Sequence, residues 1–211
     1  MSQQARVEVR QYFATPVVVA QLPEAGAVNE ELRRAVLAKM AEDGGVRHSN
    51  LGGWQSSWDF EAWSGEAGRR VLDFARALAT RMTADRAGKP VRVAWKMNAW
   101  ANVNRRGHGN EFHTHPGSFW SGTYYVDDGG IGEDPEGLDG AFEMQDPRGV
   151  APAMYAPMLA FNLPGGQSAG ASELIHPKSG QLVLFPSWLS HAVRPYHGDR
   201  ERISIAFNFS V

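Results

Sequence analysis

The stretch NEFHTHPGSFWSGTYYV, residues 110–126, decides both the fold and the chemistry. Its apolar and aromatic residues fall into two short runs, 110–115 and 119–127, parted by a Pro-Gly turn, as expected of consecutive β-strands. His113 and His115 stand one residue apart. On an extended strand that spacing sets both imidazoles on one face, ~7 Å apart along the backbone, close enough for two neutral nitrogen donors to share a metal ion.

Working outward, the same rhythm continues on both sides. Upstream, Val91, Val93 and Trp95 open a long strand that runs on through Met97, Ala99 and Ala101. Downstream, strands are expected at 140–145, 157–163, 172–176, 181–186, 190–195 and 201–210, with Gly- and Pro-bearing turns between them. The first part of the chain reads differently. A strand over 16–22 precedes a helix over 27–41, with Val28, Leu32, Val36, Leu37 and Met40 at helical spacing and Asn29 as N-cap. An irregular segment, 44–64, follows, then a second helix over 66–87 stopped by Gly88 and Pro90. The expectation is a mainly β (α+β) fold. It is a double-stranded β-helix of jelly-roll or cupin-like type, with the N-terminal helices packed against one sheet. One domain over 1–211 is expected, its helical part covering about 1–90 and its β core about 91–211.

Composition excludes several classes. The chain has 211 residues, net charge −2 and no cysteine, so disulfides, thiolate metal sites and cysteine nucleophiles are ruled out. Any metal must be held by His, Asp or Glu. Acidic and basic residues are interspersed, without the basic stripe of a nucleic-acid-binding surface. No apolar run is long enough to cross a bilayer, and MSQQARVEVRQYF lacks a secretory leader's apolar stretch, so the expected compartment is the cytoplasm.

Of the seven histidines, His191 gives His113 and His115 their context. It follows GQLVLFPSW (180–188), a buried strand ending in a proline turn, and eleven residues later comes Arg202-Ile203-Ser204. Arg202 and Ser204 share a strand face and together offer a guanidinium fork and a hydroxyl to one carboxylate. His108, His176 and His197 fall in turns or polar loops, and nothing locates His48. Trp120 and Trp188 flank the motifs as pocket walls or as core. The acidic, Gly-rich run 127–140 lacks the ligand alternation of a calcium loop and is expected to be a mobile loop over the site entrance.

Four stretches, 110–126, GAFEMQDPR (140–148), GQLVLFPSWLSHAV (180–193) and RISIAFN (202–208), resemble the iron(II)/2-oxoglutarate-dependent oxygenases, most closely a group of uncharacterised bacterial members. The resemblance spans about residues 95–208. It implies an enzyme that oxidises an unidentified substrate, a small molecule or a peptide, with release of succinate and CO2. The interspersed charge and short apolar runs argue against nucleic acid and membrane as partners, and a homodimer is left open. The family's metal site is His-x-Asp/Glu with a distant His. His113 matches the first histidine and His191 the distal one, while His115 stands where the carboxylate belongs. Either His115 ligates directly, or Glu111 substitutes from the same strand face, or water or chloride fills the vacant place; strand parity favours His115. Arg202 and Ser204 match the clamp for the remote carboxylate of 2-oxoglutarate, Tyr125 a phenol on the same group, and Asn102 a further co-substrate contact. Two other readings stand beside this one. A cupin-like three-histidine dioxygenase needing no 2-oxoglutarate leaves Arg202 and Ser204 without a role, and a non-catalytic binding domain would keep the fold alone.

Overall fold

Strand alternation in RISIAFNFS, residues 202–210, separates two environments. Ile203, Ile205, Phe207 and Phe209 are fully buried on one face, and Arg202, Ser204, Ala206 and Asn208 point to the other. The structure is a computed structural model that describes residues 13–149, 159 and 172–211. Its elements in chain order are β1 (Val18–Gln21), α1 (Ala25–Glu42), β2 (Asn50–Leu51), β3 (Trp54–Gln55), α2 (Phe60–Trp63), α3 (Gly65–Arg81), β4 (Lys96–Asn104), β5 (Gly109–His113), β6 (Trp120–Asp127), α4 (Pro135–Leu138), β7 (Phe142–Gln145), β8 (Ser172–Ile175), β9 (Gln181–Pro186), β10 (His191–Val193) and β11 (Arg202–Ser210). The strand expected over 157–163 lies outside the described residues, save Leu159.

Two antiparallel sheets form, a larger one ordered β1-β9-β6-β11-β4-β3 and a smaller one ordered β2-β5-β10-β7-β8. The helices α1 and α3 cover the outer face of the larger sheet. Their apolar residues, Leu32 and Val36 of α1 with Val71, Leu72, Ala75 and Ala79 of α3, pack against Ala99, Ala101, Ile205 and Phe207 in the main hydrophobic core. At ~1.5–3 kcal/mol per fully buried large apolar side chain, this layer supplies most of the apolar burial among the described residues. Between the sheets lies a smaller apolar cluster, including Phe142, Val183, Phe185 and Leu189. The rest of that space is a cavity whose wall on β4 and β11 mixes polar Asn98, Asn102, Arg202 and Ser204 with Trp100 and Ala206.

The expected mainly β jelly-roll with helices against one sheet is what the chain adopts, with boundaries shifted for physical reasons. The first 90 residues are not purely helical, since β1, β2 and β3 complete edges of both sheets. Asn29 does not cap α1, which starts at Ala25; its side-chain oxygen instead accepts the Tyr124 hydroxyl at 2.5 Å. Helix α3 ends at Arg81, before Gly88, where the Thr83 hydroxyl donates back to the Ala79 carbonyl at 2.7 Å and accepts the Trp120 indole N–H at 2.9 Å. The strand expected from 91 begins only at Lys96, because its partner β11 runs out there: Ser210 opposite Lys96 is the last pair of the register.

Candidate metal and co-substrate site

His113 and His191 meet because β5 and β10 pair antiparallel with these two residues directly opposite. Their ring centroids stand 4.3 Å apart, and His115 lies 5.0 Å from His113 and 5.1 Å from His191. One nitrogen from each ring falls within 4.8 Å of the others, and among the described residues this is the one group of three or more His, Asp or Glu donors so placed. The Nδ1–H of His113 donates to the Glu111 carbonyl at 2.7 Å, and that of His191 donates to the Leu189 carbonyl at 2.8 Å. Both bonds fix the tautomer that leaves Nε2 as a lone-pair donor, the outer-shell arrangement of metal-binding histidines.

Burial keeps the rings neutral. Desolvation, reinforced by the neighbouring imidazoles, lowers the pKa of His191 to about 3, against the opposing Leu189 hydrogen bond. Desolvation and then His113 lower that of His115 to about 4, and desolvation lowers that of His113 as well. The rings of Phe142 and Phe185, 5.2 and 4.6 Å from that of His191, supply the apolar surroundings. Three uncharged nitrogen donors converging in a half-dry pocket suit a first-row divalent metal such as iron(II).

His115 reaches this place by a route other than strand parity. Strand β5 ends at His113, and His115 sits in the following turn, its backbone N–H donating to the Ser187 carbonyl at 2.9 Å. Glu111 does not share the His113 face. The β5–β10 register shifts between the pairs His113–His191 and Asn110–Val193. This irregularity lets Asn110 and His113 both line the cavity while Glu111 is exposed to solvent. Glu111→Gln is therefore expected to leave the metal content of anaerobically reconstituted protein unchanged, as measured by atomic emission; loss of half the metal would return this carboxylate to the site.

His113, His115, His191, Arg202, Ser204, Tyr125 and Asn102 all line one cavity of about 470 Å³ between the sheets. Arg202 is only 2% exposed, and among the described residues no carboxylate lies within ion-pair distance of it. Among the described residues neither its Nε nor the hydroxyl of the fully buried Tyr125 makes a hydrogen bond of normal geometry. The two groups nonetheless lie close enough to interact, with the guanidinium carbon 5.1 Å from the Tyr125 ring centroid. Burial lowers the pKa of Arg202, with Tyr125, Tyr196 and Asp128 opposing, and burial raises that of Tyr125. A buried cation without an ion pair costs several kcal/mol, and an anionic ligand offsets that cost. Gln55 of β3, Asn102 of β4, Ser204 of β11 and Tyr125 of β6 lie opposite one another in the register, a polar row across four strands beside Arg202.

Several residues take places the sequence did not disclose. His48 stacks on Trp58, centroids 5.1 Å apart, and both line the cavity, as does Trp100. Trp120 belongs to the core and Trp188 is exposed, and neither lines it. The run 127–140 forms turns and α4, buries Ile131, and supplies the Gly129 carbonyl that the Tyr196 hydroxyl bonds at 2.6 Å. None of it lines the cavity, so it is a packed corner and not a cover for the entrance.

A family described as "Putative 2OG-Fe(II) oxygenase" matches residues 98–208, just over half of the chain. The chain belongs to this family. The span of the oxygenase that is matched holds His113, His115 and His191 together with Asn102, Tyr125, Arg202 and Ser204 of the same cavity. Among solved structures, a prolyl-4-hydroxylase from Pseudomonas putida is similar at 17% identity and TM-score 0.57, over 92% of this chain and 91% of that one. A Trichoplax adhaerens prolyl hydroxylase, in complex with a hypoxia inducible factor peptide fragment, is similar at 14% identity and TM-score 0.61, over 92% and 83%. HygX from Streptomyces hygroscopicus, with nickel, 2-oxoglutarate and hygromycin B bound, is similar at 13% identity and TM-score 0.60, over 93% and 83%. At these identities the likeness is one of fold. No curated protein matches the chain.

Proposed function

We propose that His113, His115 and His191 together hold the iron(II) of this oxygenase, and that Arg202, flanked by Ser204, Tyr125 and Asn102, receives the remote carboxylate of 2-oxoglutarate. The observation that carries this reading is the buried guanidinium, without an ion pair among the described residues, in the same cavity as three neutral imidazoles. Iron(II), when bound, supplies the redox chemistry that couples decarboxylation of 2-oxoglutarate to succinate and CO2 with oxidation of a substrate C–H bond. The chain's own residues hold the parts in place. His113 and His191 present Nε2 because their Nδ1–H groups are tied to carbonyls. Arg202 supplies a two-pronged donor, and the Tyr125 hydroxyl a further one, in a pocket where water competes poorly. A cupin-like reaction without 2-oxoglutarate leaves this guanidinium uncompensated.

Anaerobic titration of the iron(II)-loaded protein with 2-oxoglutarate tests the proposal through the visible charge-transfer absorption of the chelate. Saturable binding that requires iron, followed by slow succinate formation once air is admitted, is expected. Iron loading without 2-oxoglutarate binding would sink the co-substrate assignment.

A further inference from the structure

The inner face of the larger sheet carries two more cross-strand rows that the co-substrate does not use. Trp100, Ala206 and Thr123 lie opposite one another, and so do Asn98, Asn208 and Ser121. Successive rows are two residues, ~7 Å, apart. Asn208 therefore lies six residues, ~20 Å, along β11 from Arg202, well beyond the reach of a five-carbon dicarboxylate gripped there. Between the two ends sits Trp100, its ring centroid 6.0 Å from that of His115.

Asn208 is 9% exposed and lines the cavity. The hydroxyl of Ser121, 1% exposed, donates to its Oδ1 at 2.7 Å. With the amide oxygen turned to Ser121, both N–H donors of Nδ2 are left without a protein partner among the described residues. Directly opposite on β4, Asn98 is exposed and also lines the cavity, so it offers a second amide able to donate and to accept. Among the described residues lining the cavity, only Arg202 carries a permanent charge; Asp, Glu and Lys are missing from the lining. A cationic or anionic substrate would sit at the Asn208 end without a counter-charge, at the cost of its desolvation.

We propose that the Asn208 end of the cavity binds an uncharged substrate through an amide group, whose carbonyl accepts from Asn208 Nδ2 and whose N–H is met by Asn98, with Trp100 as the apolar wall toward the histidines. Ser121 is a positioning residue that keeps Asn208 in its donor orientation. The inference rests on the assignment of the Arg202 end to 2-oxoglutarate.

The test uses the full chain loaded anaerobically with iron(II) and saturating 2-oxoglutarate, and three probes: N-acetylalaninamide, n-butylammonium and butyrate. Bound iron(II) enhances the proton relaxation of a probe held beside it. The amide probe is expected to show enhancement about tenfold stronger than either ion, the weight of one or two hydrogen bonds to a buried donor. Asn208→Asp, which replaces the donor by a charged acceptor, should reverse the order in favour of butylammonium, an inversion that mere loss of structure does not produce. Ser121→Ala should weaken the amide probe severalfold by letting Asn208 flip, and it carries the test should the Asp variant fold poorly. Equal binding of ions and amide, no amide binding, or an unchanged order in both variants overturns the inference. Iron content and 2-oxoglutarate affinity, measured on the same sample, separate the two failures: if both bind while the amide is ignored, the inference alone falls, and if 2-oxoglutarate does not bind, both fall.

Discussion

His191→Ala is expected to empty the metal site. His191 is the most buried of the three donors, at 4% exposure, and is held by its Leu189 hydrogen bond and by the rings of Phe142 and Phe185. Removing it leaves two imidazoles, one of them in a turn outside the strand ladder. Loss of an outer-shell partner alone typically costs 10–100-fold in metal affinity, so loss of a ligand should exceed about 100-fold. Chelator competition under anaerobic conditions reads the change, and circular dichroism shows whether the sheets persist. Near-stoichiometric iron in this variant would mean that the histidine cluster is a packing feature and not the metal centre.

Replacing Arg202 with Met should raise the dissociation constant of 2-oxoglutarate by roughly 30- to several thousand-fold, because losing one member of a buried charge pair costs about 2–5 kcal/mol and each 1.4 kcal/mol is a factor of ten. Iron content should stay near that of the parent, since the guanidinium is not among the grouped donors. The two possible roles of the arginine predict opposite effects on stability without ligand. A guanidinium already paired within the protein would be missed, and the melting temperature would fall. Arg202 is buried without an ion pair among the described residues, so an apolar side chain of similar length should leave the ligand-free protein as stable or more stable. Calorimetric titration and thermal melting of the same preparation check both halves. Undiminished 2-oxoglutarate affinity would refute the clamp.

The division of labour between sequence and tertiary structure can be followed residue by residue. The period-two pattern of 202–210 placed Arg202 and Ser204 on one face, and the structure adds that this face looks into a cavity lined by Asn102 and Tyr125. The same alternation separates two neighbouring tyrosines: Tyr124 turns to the helices and bonds Asn29, and Tyr125 faces the space between the sheets. His115 converges with the other histidines although the reason expected for it fails, since it lies past the strand end. Glu111 was misread because a register shift between two strands belongs to the pairing and leaves no mark on either strand's own sequence. His48 and Trp58 were illegible for a related reason. They reach the cavity from an irregular segment drawn over it when Trp54 and Gln55 add β3 to the edge of β4.

What the sequence determined by itself was local and periodic: the change from helical to strand spacing, the exclusion of thiolate chemistry, and His113, His191 and an Arg-x-Ser pair set in strands. Those follow from backbone geometry within a few residues, where side-chain direction is fixed by 3.6- or two-residue repeats. Only the tertiary structure decided which nitrogens meet, that Asn208 bonds Ser121 at the cavity wall, that Arg202 is buried without an ion pair among the described residues, and that the acidic run 127–140 packs as a corner away from the cavity. Those properties depend on contacts between strands far apart in the chain, where register and burial set distance and charge, and no local pattern encodes them.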